Sequence, residues 1–182
     1  MRALALVSVV VCALVMSTPS YAAPAATLKH IRPRDPDAAL LLRFGTERST
    51  RFREIVRQLE RSNVIVYIDV RTESTHPVGG GLTFLAEAHG YRWVRAVVDS
   101  GTSNRGRTFQ DIFRLTAILA HELRHAVEAS EAPTLKNVRE FERYFREIGV
   151  NEPNVLDTLA ARETGAWVEG ELRGLVSSRG DD

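Results

Sequence analysis

Disulfide stabilisation is excluded first. The 182-residue chain has a single cysteine, Cys12, and one thiol cannot staple a fold, so the stability of the chain has to come from its core. An excess of either charge is missing too. Lys and Arg number 24 against 23 Asp and Glu, and a chain so balanced has no field to draw it to nucleic acid or to an anionic membrane surface. No nucleic-acid partner is expected. Lysine is scarce, with Arg supplying every basic residue except Lys29 and Lys136. The apolar run at residues 3–16 is too short to cross a bilayer comfortably, so no membrane span is expected either.

That run has a different reading. Arg2 precedes it, and a small-x-small ending, Ser20 and Ala22, follows it. Together these make a secretory signal peptide over residues 1–22, cleaved after Ala22, which would send the chain to the periplasm or outside the cell. Cleavage removes Arg2 and Cys12, leaving equal numbers of basic and acidic residues and no cysteine. About 160 residues then remain, enough for one domain with one sizeable core.

The most informative stretch is His121-Glu122-Leu123-Arg124-His125, an H-E-x-x-H pattern. On a helix at ~100° per residue, positions i and i+4 lie about 40° apart on one face. Two neutral imidazoles so placed can hold one zinc ion, and the intervening Glu122 is turned toward the edge of that face, where it can take a proton from a metal-activated water. The surrounding residues supply the helix. Ile112, Leu115, Thr116, Leu119, Leu123, Ala126 and Val127 recur at three- and four-residue spacing. They form a buried stripe that leaves His121, His125 and Glu128 roughly opposite, toward a second layer or a cleft.

Around this helix the chain reads in order as follows. Residues 23–36, rich in Ala and Pro, are an extended arm. Residues 37–44 form a short helix or strand closed by Gly45. Thr46 caps a helix over 47–61 that buries Phe52, Ile55, Val56 and Leu59. Residues 64–70, an unbroken β-branched run, predict a strand buried on both faces. The loop at 72–81 ends in Gly79-Gly80-Gly81, which reads first as a flexible connection and secondly as a place where the backbone could approach another group closely. Strands at 82–88 and 91–98 are joined at His89-Gly90, a hairpin signal. Thr108 caps the motif helix. A further helix starts at Thr134 or Lys136, with Leu135, Val138, Phe141, Phe145 and Ile148 on one face and Gly149 as its stop. Residues 151–154 introduce a last helix running to near Gly174. The 177–182 tail is expected to be disordered. The whole predicts one α+β domain over residues 37–176, in which a small mixed or antiparallel sheet precedes the motif helix and two further C-terminal helices.

A zinc site needs a third protein ligand. Glu163 lies in the middle of an expected apolar stripe of Leu156, Leu159, Ala160, Ala166, Trp167 and Gly170. An unpaired carboxylate buried there would cost several kcal/mol, which a metal ion would offset. Glu128 and Glu131 are the rivals. Glu128 would have to reach back one helical turn, and Glu131 stands ten residues after His121.

His121-Glu122-x-x-His125 with a Glu on a later helix resembles the gluzincin branch of zinc metallopeptidases. The resemblance implies a zincin-like fold, zinc held by His121, His125 and Glu163, Glu122 as general base, and a sheet whose edge strand pairs with a peptide or protein substrate. Two positions depart from the family. Arg124 stands where an uncharged residue is usual, and Trp167 replaces the Asp that often follows the Glu ligand by four residues. The expected function is a secreted zinc-dependent metallopeptidase. The alternative is a secreted zinc-binding or interaction module without hydrolytic activity.

Overall fold

Among the described residues of the computed structural model, the chain runs β1 (Ile31–Pro33), α1 (Pro36–Arg48), α2 (Thr50–Glu60), β2 (Val64–Arg71), β3 (Gly80–Ala88), β4 (Tyr91–Asp99), α3 (Phe109–Glu131), α4 (Val138–Ile148) and α5 (Leu159–Leu172). The structure describes residues 28–71, 79–101, 109–132, 134–150 and 157–174. The signal peptide, residues 23–27 of the arm, the Thr108 cap, the 151–154 helix entry and the 177–182 tail lie outside the described residues.

The strands make a mixed sheet in the order β1-β2-β4-β3, with β1 and β4 parallel to β2 and β3 antiparallel to β4 at the edge. Along β2, Val64, Val66 and Ile68 are fully buried and join Phe84, Val94, Ala96 and Val98 against Leu41, Phe52, Leu59, Leu119 and Leu123 from the helices. The alternate positions Tyr67 and Asp69 stay partly exposed, and Asp69 pairs with Arg34 and Arg95. Burial of β2 on both faces, expected from its apolar run, is therefore incomplete. The β3–β4 turn is the expected His89-Gly90 pair. Both residues have positive φ, 52° and 78°, the left-handed geometry that matches the twist of a two-residue hairpin.

Two expectations near the N-terminus change. Residues 31–33 of the expected arm are a strand, because the Glu60 carboxylate accepts the Lys29, His30 and Ile31 N–H groups and holds β1 beside β2. Asp35 caps α1 through Ala38 N and also accepts from Val70 N. Gly45 does not end α1. The Phe52 ring packs so closely that a Cβ on Gly45 would lie 2.6 Å from it. The break falls at Ser49, which caps α2 by accepting from Phe52 N, so Thr46 is not the cap. Asn137 caps α4.

α3 lies across the buried face of the sheet. Its C-terminal carbonyls, which lack helical partners, are met by Arg92 of β4, whose guanidinium donates to Ala129 O and Ala132 O. α5 packs along α3 through Ala161, Thr164, Gly165 and Val168. A Cβ on Gly165 would meet Ala117 O at 3.3 Å and His121 Cβ at 3.4 Å, so close helix packing selects small residues here. The expected stripe is therefore on the wrong side of α5, leaving Leu159 and Trp167 60% and 55% exposed. No helix among the described residues is long and apolar enough to cross a membrane.

Arg92 is buried, and its charge is met by helix carbonyls at the negative end of the α3 dipole. Arg92→Met should lower unfolding free energy by about 2 kcal/mol, the scale of losing charge-assisted bonds to buried carbonyls. Denaturant titration measures it, and an unchanged midpoint would show that the bonds contribute nothing.

Candidate metal centre

α3 holds His121 and His125 one turn apart, with their rings edge-to-face and centroids 4.8 Å apart. Their Nε2 atoms stand 3.2 Å from each other. Asp157, in the segment just before α5, completes the group. Its Oδ1 lies 3.1 Å from His121 Nε2 and 3.5 Å from His125 Nε2. The three side chains form a set that could hold a metal ion.

The spacing is informative. Two ligands at ~2.0–2.1 Å from a tetrahedral ion stand ~3.3 Å apart, close to all three separations found here. Two imidazole lone pairs facing each other this closely repel unless a proton or a cation lies between them. The donor set of two nitrogens and one carboxylate oxygen is one that zinc accepts.

The surroundings fix each donor. His125 Nδ1 is 2.9 Å from Glu128 Oε2, and the other Glu128 oxygen accepts from Thr158 Oγ1 at 2.8 Å. Phe145 of α4 stacks edge-on against the His125 ring at 5.2 Å between centroids. Arg162 Nε donates to Asp157 Oδ2 at 2.6 Å, and Thr158 N donates to Oδ1. Val150 N donates to the Asp157 carbonyl at 2.9 Å.

These contacts set the protonation of the metal-free group. Burial works against charge on His125, but its contacts with Asp157 and Glu128 outweigh it and raise its pKa to about 9. For His121, burial and the neighbouring His125 lower the pKa against the pull of Asp157. Burial opposes ionisation of Asp157, yet hydrogen bonds from His125 and Arg162 hold its carboxyl well below the usual range. Glu122 is 4% exposed, and burial pushes its carboxyl up to about 7.

Glu122 faces the start of β3. A Cβ on Gly80 would lie 2.7 Å from Glu122 Oε1 and 2.7 Å from Ile118 Cγ2. At Gly80, where a flexible connection is the first reading, the backbone does approach another group closely, the motif glutamate, while Gly81 has open space around it.

Of the expected site residues, His121 and His125 are brought together and Glu122 lies buried beside them. Glu163 is not brought to them. It is exposed, with Leu159 and Trp167, on the outer side of α5. Glu128 approaches His125 at Nδ1, away from the cluster, and Glu131 is exposed and lies 4.0 Å from Arg124. The unusual Arg124 is thereby explained, since its Nε stands 3.7 Å from Glu128 Oε1 as a counter-charge. Asp157 was missed because residues 151–154 read as the helix start, which put position 157 inside the helix. The signal that could have found it is the Asp157-Thr158 pair, with Thr158 capping through Ala161 N.

Asp157→Ala should weaken zinc binding at least ~100-fold, whereas Glu163→Ala should leave it unchanged. Competition against a chromogenic chelator measures both, and the reverse order of effects would return Glu163 to the ligand set. No protein-family model matches the chain, and no curated protein or solved structure matches it either.

Proposed function

We propose that this chain is an exported zinc-dependent peptidase of zincin type, with His121, His125 and Asp157 as the metal ligands and Glu122 as general base. Its main support is the convergence of three donor atoms at tetrahedral spacing beside a buried Glu122. Zinc at these residues would supply a Lewis acid that acidifies water and polarises a carbonyl.

The remaining steps belong to the protein. Glu122 takes the proton of the attacking water and returns it to the leaving amine. Its position against Gly80 keeps it on the sheet side of the histidine pair, where the scissile bond would lie. β3 is the outermost strand on that side, so an extended peptide can add to its edge through backbone hydrogen bonds. Compared with the gluzincin pattern, an Asp ahead of the last helix takes the part of a Glu within it. Asp is one methylene shorter, and close packing of α5 on α3 brings it within reach.

Glu122→Gln should reduce cleavage of a peptide library by ~100-fold or more with zinc content unchanged. Wild-type protein that holds one zinc and cleaves nothing would favour the non-hydrolytic module. Gly80→Ala should keep zinc but lower cleavage roughly 10- to 100-fold by displacing the base; undiminished turnover would show that the Glu122 position tolerates the added methyl.

A further inference from the structure

Resting on the metal centre proposed above, we infer that Glu128 is a two-ended positioning residue, orienting His125 directly and holding Asp157 through Thr158. Glu128 is one turn beyond His125 on α3 and is buried. Its Oε2 meets His125 Nδ1 at 2.9 Å, on the side of the ring away from the cluster. An Nδ1–H donated to this carboxylate leaves the Nε2 lone pair aimed at His121 and Asp157.

The other oxygen ties α3 to the segment carrying the third ligand. Thr158 is 3% exposed, and its hydroxyl donates to Glu128 Oε1 at 2.8 Å while accepting from Ala161 N at 3.1 Å. Both capacities of the hydroxyl are used, so its orientation is fixed. Asp157 is the preceding residue, so the Glu128–Thr158 bond sets where its backbone lies relative to His125. A carboxylate buried this deeply must be compensated. His125, Thr158 and Arg124 do so from three directions, and the Tyr144 hydroxyl holds the Glu128 carbonyl at 3.1 Å. With both oxygens engaged, Glu128 acts on the site through its neighbours.

The consequence is that two of the three ligands share one support. A capping role for Thr158 alone would stabilise α5 without altering what the site binds. A coupling role makes Glu128 and Thr158 interdependent in metal affinity.

Cobalt(II) titration of the full chain, followed by visible absorption, separates these roles when paired with thermal melting of the metal-free protein. Glu128→Ala and Thr158→Val should each weaken cobalt binding roughly 10- to 100-fold and shift the absorption bands. Thr158→Ser should bind like the wild type. The double variant should be no weaker than Glu128→Ala alone, because both changes break one link. Wild-type affinity and bands in Glu128→Ala would overturn the inference while leaving the metal centre standing. Losses that multiply in the double variant would overturn the link through Thr158. If Glu128→Ala does not fold, the Thr158 pair decides, since equal binding by Ser and Val variants also overturns it. A wild-type chain that takes up no cobalt would remove the metal centre itself.

Discussion

The carboxylate of Asp157 set between the rings of His121 and His125 is the interaction on which the rest depends. Helix geometry puts the two imidazoles on one face of α3, because positions four apart must share a face, and Glu128 then orients the ring of His125. Thr158 N and Arg162 orient the Asp157 carboxylate, but no local contact carries it to the histidines. It arrives because α5 lies against α3 through Ala161, Thr164, Gly165 and Val168, and because the N-cap at Thr158 starts that helix one residue after Asp157. A bulkier packing face would lift α5 and take Asp157 out of reach of the two Nε2 atoms.

Much of the remaining structure holds α3 in place. Arg92 closes its C-terminal end against β4, and Leu119, Leu123 and Ala126 anchor its middle in the core. Gly80 allows the edge strand to meet it at Glu122. The helix therefore carries the two histidines on the side facing α4 and α5, and Glu122 on the side facing the sheet edge. This division suits the proposed chemistry, in which ligand and base must approach one reacting centre from different directions.

How much of this was legible follows from what local sequence encodes. The β2 run, the His89-Gly90 turn and the motif helix were readable, since strand alternation, turn conformation and helical periodicity act within a few residues. The parallel pairing of β1 with β2 was not, because three residues carry no periodicity and the strand is held by Glu60, far along the chain. The face of α5 was misread for a physical reason. Leu159 and Trp167 are the largest apolar residues near the start and middle of that helix, and size ordinarily marks the buried side. Close helix contact reverses the rule, so the small residues are inside and Glu163 is out. Two histidines of the site were visible in advance. The aspartate was not, because a ligand that depends on tertiary packing leaves only a faint local trace.

The most direct measurement is an anomalous difference map at the zinc absorption edge from crystals of the protein grown with zinc. One strong peak is expected among His121 Nε2, His125 Nε2 and Asp157 Oδ1, with Glu128 still on His125 Nδ1. A map with no peak there, or a peak bonded to other side chains while Asp157 turns away, would rule out this metal centre.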